Sequence, residues 1–180
     1  QIAGIDFTDN FAPVVHDVTF RIIILLYFFM KYDSKIIDVE TAFLYGDLDE
    51  EIYMKIPQGL REYQAEREIG IKLNKSVYGN GYMQEEEECL YLKKSIYGLV
   101  QAARQWWKKF VEVLTGLKFK VSLIDPCLLY KEDKNGIVYV CLYVDDLLMI
   151  GDTKAIDSAV MEIKNIYSIK EIGKMYEYVG

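Results

Sequence analysis

Asp145 and Asp146 stand side by side between two apolar runs, one closing on Tyr143-Val144 and the other spanning Leu147 to Ile150. Consecutive strand residues face opposite sides, so within a strand one of these carboxylates would enter the core. At the tip of a hairpin both project the same way. Carboxylates gathered there repel unless a divalent cation neutralises them, and an all-oxygen ligand set favours magnesium or manganese over zinc. An ordinary acidic turn would explain a lone Asp-Asp pair, but these flanks are too apolar for a plain solvent turn. Asp38 is the third unusual acid, set in Ile36-Ile37-Asp38-Val39 where a buried strand prefers an apolar residue. On its own it could be a paired core acid. A third carboxylate at a strand end, brought beside a hairpin tip 107 positions later, is what two-metal phosphoryl transfer needs.

The elements that must hold these acids are readable from pattern. Asp17 to Tyr32 reads as a buried helix with Asp17 as a candidate cap, although its Ile-rich centre also suits a strand. Ile36 to Leu44 reads as a strand ending near Gly46, and Glu51 to Ile56 as a second strand, followed by a loop-rich stretch. Leu73 to Gly79 and Leu92 to Gly98 match at five of seven positions, an echo at an offset of 19. Only the second copy leads into a strong helix, about Leu99 to Gly116, with Ala103, Trp106, Phe110 and Leu114 on one face and Gln101, Arg104, Gln105 and Lys108 on the other. Cys127 to Tyr130 and Ile137 to Leu142 read as a hairpin turning at Asn135-Gly136. A second hairpin turns at the Asp-Asp pair. A helix over Lys154 to Tyr167, capped by Asp152 or Thr153, and two short strands around Ser168 to Ile172 and Met175 to Val179 close the chain.

Composition narrows the class. With 180 residues, 52% hydrophobic and 14% aromatic, the chain should fold as one domain. Its longest apolar run, Ile22 to Met30, is nine residues, against the roughly 18 expected of a membrane span. No signal peptide is readable. Cys89, Cys127 and Cys141 are three widely spaced cysteines and His16 is the lone histidine, so no zinc site or disulfide framework emerges and a reducing intracellular setting is expected. The net charge of −7 argues against nucleic acid until it is mapped. From Lys93 to Lys120 seven basic residues face Glu112 alone, a local +6, while Asp47 to Glu51 and Glu85 to Glu88 read as solvated acidic surface.

Six blocks in order carry a resemblance. Phe11-Ala12-Pro13-Val14, Asp38-Val39-Glu40-Thr41-Ala42-Phe43-Leu44-Tyr45-Gly46, Glu51-Ile52-Tyr53-Met54, Leu92 to Leu99, Gln101-Ala102-Ala103-Arg104 and Tyr143-Val144-Asp145-Asp146 resemble the successive motifs of copia-type retrotransposon reverse transcriptases. The resemblance implies an α+β fold over residues 1–180: a right-hand polymerase palm, its antiparallel sheet backed by helices, with part of the fingers and no thumb. It implies RNA-directed DNA polymerisation, with Asp38, Asp145 and Asp146 catalytic and two Mg2+ ions, replaceable by Mn2+, held by them and the Val39 carbonyl. One ion would lower the pKa of the primer 3′-hydroxyl, and both would stabilise charge as it attacks the α-phosphate of a dNTP. Glu40, Thr41 and Ala42 would line the triphosphate and Phe43 would lie beneath the sugar. Tyr97, Gly98, Gln101, Arg104 and Lys108 would face the template and primer, and Tyr178-Val179-Gly180 resembles the start of the primer grip. Implied partners are an RNA template, a DNA primer, dNTPs and the rest of a Pol polyprotein (fingers, thumb and ribonuclease H), in a cytoplasmic virus-like particle with a nuclear phase.

Two departures qualify this. The family carries a basic residue where Val100 stands, and two echoed elements compete for one role, of which the second is chosen because the Gln-x-x-Arg helix follows it. Two rival functions keep the same acids: a copy of the domain that binds nucleic acid without polymerising, and a metal-dependent phosphoester hydrolase. The hydrolase would need a water-activating base, for which His16 is a poor candidate.

Overall fold

The apolar segments flanking the three aspartates become neighbouring strands of one sheet in the computed structural model, which describes residues 1–2, 4, 7–67, 74–78 and 85–175. Its strands are β1 (Asp33–Val39), β5 (Lys120–Val121), β6 (Leu128–Asp133), β7 (Gly136–Tyr143), β8 (Asp146–Gly151) and β9 (Ile169–Gly173). They lie in the order β5-β6-β7-β8-β1-β9 and every pairing is antiparallel. A smaller sheet orders β2 (Asp47–Lys55), β4 (Glu85–Lys94) and β3 (Asn74–Tyr78) as β2-β4-β3. The helices are α1 (Asp17–Met30), α2 (Leu60–Arg67), α3 (Ala102–Gly116) and α4 (Thr153–Lys164).

Period-2 alternation divides the large sheet into two faces. Ile37, Val39, Val140, Leu142, Leu147 and Met149 point into the main core, where Trp106, Phe110 and Leu114 of α3 and Ile156, Val160 and Ile163 of α4 cover them. Fully burying side chains of this size contributes roughly 1.5–3 kcal/mol each. Ile36, Cys141, Leu148 and Ile150 point the other way, under Ile23 of α1. The expected α+β architecture, an antiparallel sheet backed by helices near the three predicted positions, is present.

Several local expectations need correction. Helix α1 is buried only at Ile23; Val18, Ile22, Leu25, Phe28 and Phe29 remain more than half exposed, because among the described residues nothing covers that side. His16, not Asp17, occupies its N-cap position. Strand β1 stops at Val39 rather than Leu44, since Thr41 adopts a positive φ of 55° and Ala42–Tyr45 winds into a 3-10 turn. The acidic runs at 47–51 and 85–88, read as solvated surface, lie within β2 and β4, and the stretch read as loop-rich holds α2 and the β3-β4 pair. The first hairpin turns one residue early, with Lys134 and Asn135 central and Gly136, at φ +108°, opening β7 opposite Asp133. The strand expected at Met175 to Val179 and the primer-grip residues Tyr178 to Gly180 lie outside the described residues beyond Met175.

Candidate functional site

Strands β7 and β8 are joined by a two-residue turn, Val144-Asp145, with Tyr143 and Asp146 paired across its base. Asp146 is also paired with Asp38 of β1. The Val39 N–H donates to the Asp145 carbonyl at 3.1 Å, so Asp38 and Asp146 form a pair without direct hydrogen bonds, the narrower of the two antiparallel kinds. Their side chains share one face, with Cβ atoms in such pairs about 4.5–5.5 Å apart. Like charges directly opposite are destabilising there. Accordingly the Asp146 carboxyl is pushed above its ordinary range, first by burial and then by Asp145 and Asp38. A cavity of about 360 Å³ adjoins this carboxyl, lined by Phe20, Ile36, Cys141, Tyr143 and Asp146 among others.

The run after Asp38 wraps around the same point. Val39 is 1% exposed with its side chain in the core, so it can serve the site only through its backbone. Glu40 is exposed; its N–H donates to the Ser168 carbonyl at 3.0 Å, and its carboxylate accepts the Ser168 hydroxyl at 2.5 Å. Thr41 is exposed and Ala42 is fully buried. The half-buried Phe43 ring meets the exposed Tyr97 ring at 4.6 Å, and Ser95 donates its hydroxyl to the Phe43 carbonyl. The Tyr97 hydroxyl is pushed up by burial, then by Asp145 and Asp38, which puts it within electrostatic reach of both acids. Thus the second echoed element lies beside the aspartates, whereas the described part of the first, Asn74–Tyr78, forms β3 in the smaller sheet.

Other predicted residues are engaged differently. Gly98 is exposed at φ +100°, a conformation suited to glycine. Gln101 is fully buried and its side-chain oxygen accepts from Gln1 at 2.9 Å. Arg104 pairs with Asp9 at 2.7 Å and donates to the Phe11 carbonyl; Lys108 pairs with Asp49 at 2.5 Å. Lys109 pairs with Asp47 at 3.0 Å, and Lys94 also binds Asp47. Lys108 and Gln105 hold the Asp49 carboxyl below the usual range, and Lys94 and Lys109 do the same for Asp47. The basic stretch is therefore met by acids of β2 and the N-terminal segment.

Two contacts were not legible beforehand. Ser168 carries no distinguishing sequence signal, and Trp106 reads as an ordinary core residue, yet its indole N–H donates to the Val144 carbonyl at 2.7 Å. A buried indole requires an acceptor, which is a signal that one exists but not where.

The donor set suits a hard divalent cation: carboxylate oxygens and a nearby backbone carbonyl, with mutual repulsion to relieve. Among the described residues, no group of three or more His, Cys, Asp or Glu side chains is gathered closely enough to hold a metal ion. The observed assembly is the Asp38-Asp146 pair with Asp145 on the adjoining turn. No helix among the described residues is long and apolar enough to cross a membrane.

The family model described as "Reverse transcriptase (RNA-dependent DNA polymerase)" matches residues 1–84 and 79–180, and the chain belongs to this family. It is similar to the retrovirus-related Pol polyprotein from transposon TNT 1-94 of Nicotiana tabacum, with 33% identity over 100% of this chain and 12% of the relative. It is also similar to that from transposon RE2 of Arabidopsis thaliana, with 27% identity over 100% of this chain and 11% of the relative. With the transposon Ty1-NL2 Gag-Pol polyprotein of Saccharomyces cerevisiae it shares 25% identity over 76% of this chain and 6% of the relative. The chain thus spans about a tenth of the plant relatives it matches. No solved structure matches it.

Proposed function

We propose that this chain is the palm-centred part, with some of the fingers, of a copia-type RNA-directed DNA polymerase that joins dNTPs to a primer 3′-hydroxyl on an RNA template. The observation carrying this reading is the narrow pairing of Asp38 with Asp146 at the base of the Val144-Asp145 turn. Asp38, Asp145, Asp146 and the Val39 carbonyl would hold two Mg2+ ions, or Mn2+ in their place. Bound there, the ions supply acidification of the 3′-hydroxyl and charge neutralisation at the α-phosphate. Asp38 and Asp146, fixed by strand register, supply a negative pair whose geometry is set before any ligand arrives. Glu40 and Thr41 line the triphosphate, with the Glu40 side chain oriented by Ser168, while Ala42, expected beside them, is fully buried beneath that run. The Phe43 and Tyr97 rings, in contact at a tilt of 41°, form a floor for the sugar. Gly98, Gln101, Arg104 and Lys108 lie on the template side, Arg104 and Lys108 exchanging their acidic partners for phosphates. The remaining fingers, the thumb and ribonuclease H come from the rest of a Pol polyprotein, acting in a cytoplasmic virus-like particle with a nuclear phase.

A second reading, a copy that binds nucleic acid without polymerising, draws on Val100 in place of a basic residue and on the absence of a three-acid cluster among the described residues. Primer extension on a homopolymer RNA template, by a longer polypeptide containing this segment, separates the two. The parent should extend, and Asp38→Asn and Asp145→Asn should abolish extension while leaving the thermal melt cooperative, because amides keep the shape and lose the charge. Extension by either Asn variant would overturn the assigned mechanism; an inert parent would favour the second reading.

A further inference from the structure

We propose that Trp106 is a positioning residue for the Val144-Asp145 turn, its indole N–H fixing the peptide that sets the direction of the Asp145 carboxylate. This rests on the metal-site reading above. Trp106 is 1% exposed, its ring packed among Tyr45, Phe110 and Tyr167 with centroids 6.2, 5.2 and 5.3 Å away. Its N–H reaches out of that cluster to the Val144 carbonyl, 38 positions along the chain. That carbonyl belongs to the peptide entering Asp145. The carbonyl of the peptide leaving Asp145 accepts the Val39 N–H at 3.1 Å. The two peptide planes flanking a Cα determine where its Cβ points, so Asp145 is aimed by α3 on one side and β1 on the other.

The turn needs such a restraint. Val144 has a φ of 57°, a conformation that L residues disfavour and β-branched ones disfavour most. Freed from the indole, the Val144-Asp145 peptide can rotate to relieve that strain, carrying the carboxylate away from Asp38 and Asp146. The neighbouring residue is an internal control: the Trp107 indole also donates a hydrogen bond, but to the Pro126 carbonyl at 3.3 Å.

The test measures Mn2+ binding to this chain by the electron paramagnetic resonance signal of free Mn2+. The parent should bind in a manner lost in Asp145→Asn. Trp106→Phe, which keeps a ring in the cluster but drops the donor, should weaken binding about three- to tenfold, the size set by one neutral hydrogen bond. Trp107→Phe should stay within about twofold of the parent, since its bond does not touch the turn. Adding Val144→Gly to Trp106→Phe should recover part of the loss, because glycine takes positive φ without strain. In the unmutated chain, the Trp106 indole N–H resonance should shift on Mg2+ titration while that of Trp107 stays in place. A folded Trp106→Phe with parental affinity, or equal losses in the two Phe variants, would reduce Trp106 to a packing residue. Should Trp106→Phe fail to fold, an unshifted Trp106 indole resonance under Asp145-dependent binding overturns the proposal. A parent without Asp145-dependent Mn2+ binding overturns the metal-site reading itself, and the proposal with it.

Discussion

Asp38 and Asp146 face one another across the narrow kind of antiparallel pair, where opposite charges or apolar groups usually sit. These acids were legible in the sequence because each breaks an apolar strand pattern at its own position, and a violation of pattern is a local property. Ser168 and Trp106 were not legible as site residues: both obey their local pattern, and what distinguishes them is a polar atom meeting a partner more than thirty positions away, the Glu40 carboxylate for Ser168 and the Val144 carbonyl for Trp106. Phe43 lies between these cases, since the motif implies its role and the structure adds the tilted Tyr97 ring as its neighbour at 4.6 Å. If this ring excludes a ribose 2′-hydroxyl, Phe43→Val in a longer active polypeptide should raise ribonucleotide incorporation relative to deoxynucleotides on the order of tenfold. Competition between the two nucleotide types measures it. Unchanged selectivity in a folded variant would mark Phe43 as a core ring.

Between elements, the strongest departure from expectation is the docking of acidic β2 against basic α3 through Lys108-Asp49 and Lys109-Asp47. Charge runs read one at a time look like a solvated acidic face and a free basic face; their mutual neutralisation appears only when the chain brings 47–49 beside 108–109. The helical pattern of α3, the β7-β8 hairpin and α4 were legible because periodicity is local. The end of β1 was not, since Ala42 to Leu44 is again apolar although Thr41 turns the backbone. Exposed pairs of this kind are individually weak, so a phosphate can displace the acid. Replacing Arg104 and Lys108 together with Ala should weaken binding of an RNA–DNA hybrid and flatten its log–log salt dependence by about two units, near one per phosphate contact. Identical slopes in parent and variant would leave these cations as braces to Asp9 and Asp49 only.

Across the whole molecule, Asp125 joins the N-terminal segment to the sheet. It is 1% exposed and accepts the His16 N–H at 2.8 Å and the Cys127 N–H at 2.9 Å. Burial alone pushes its carboxyl upward, but the bonds from His16, Thr19 and Cys127 outweigh this and hold it below the ordinary carboxylate range. The folded state therefore binds this proton less readily than the unfolded chain, so the stabilisation is present above the unfolded value near 4 and is lost as pH falls through the lower folded one. Asp125→Asn should cost about 2 kcal/mol at pH 7, the range for hydrogen bonds to a charged acceptor, and the gap to the parent should narrow below about pH 4. Urea titrations at the two pH values measure this; a gap independent of pH would refute the assignment. The central place of β1 in the sheet, between β8 and β9, also governs the order in which the chain can fold. Asp38 leaves the ribosome 107 residues ahead of Asp145, roughly 5–20 s at ordinary elongation rates. Through that interval β1 has neither of its sheet neighbours, and α1 lacks the β8 residues it packs on. The early third of the chain thus waits without the strands that flank β1 in the sheet, and the acidic pair comes into being only after β8 has emerged.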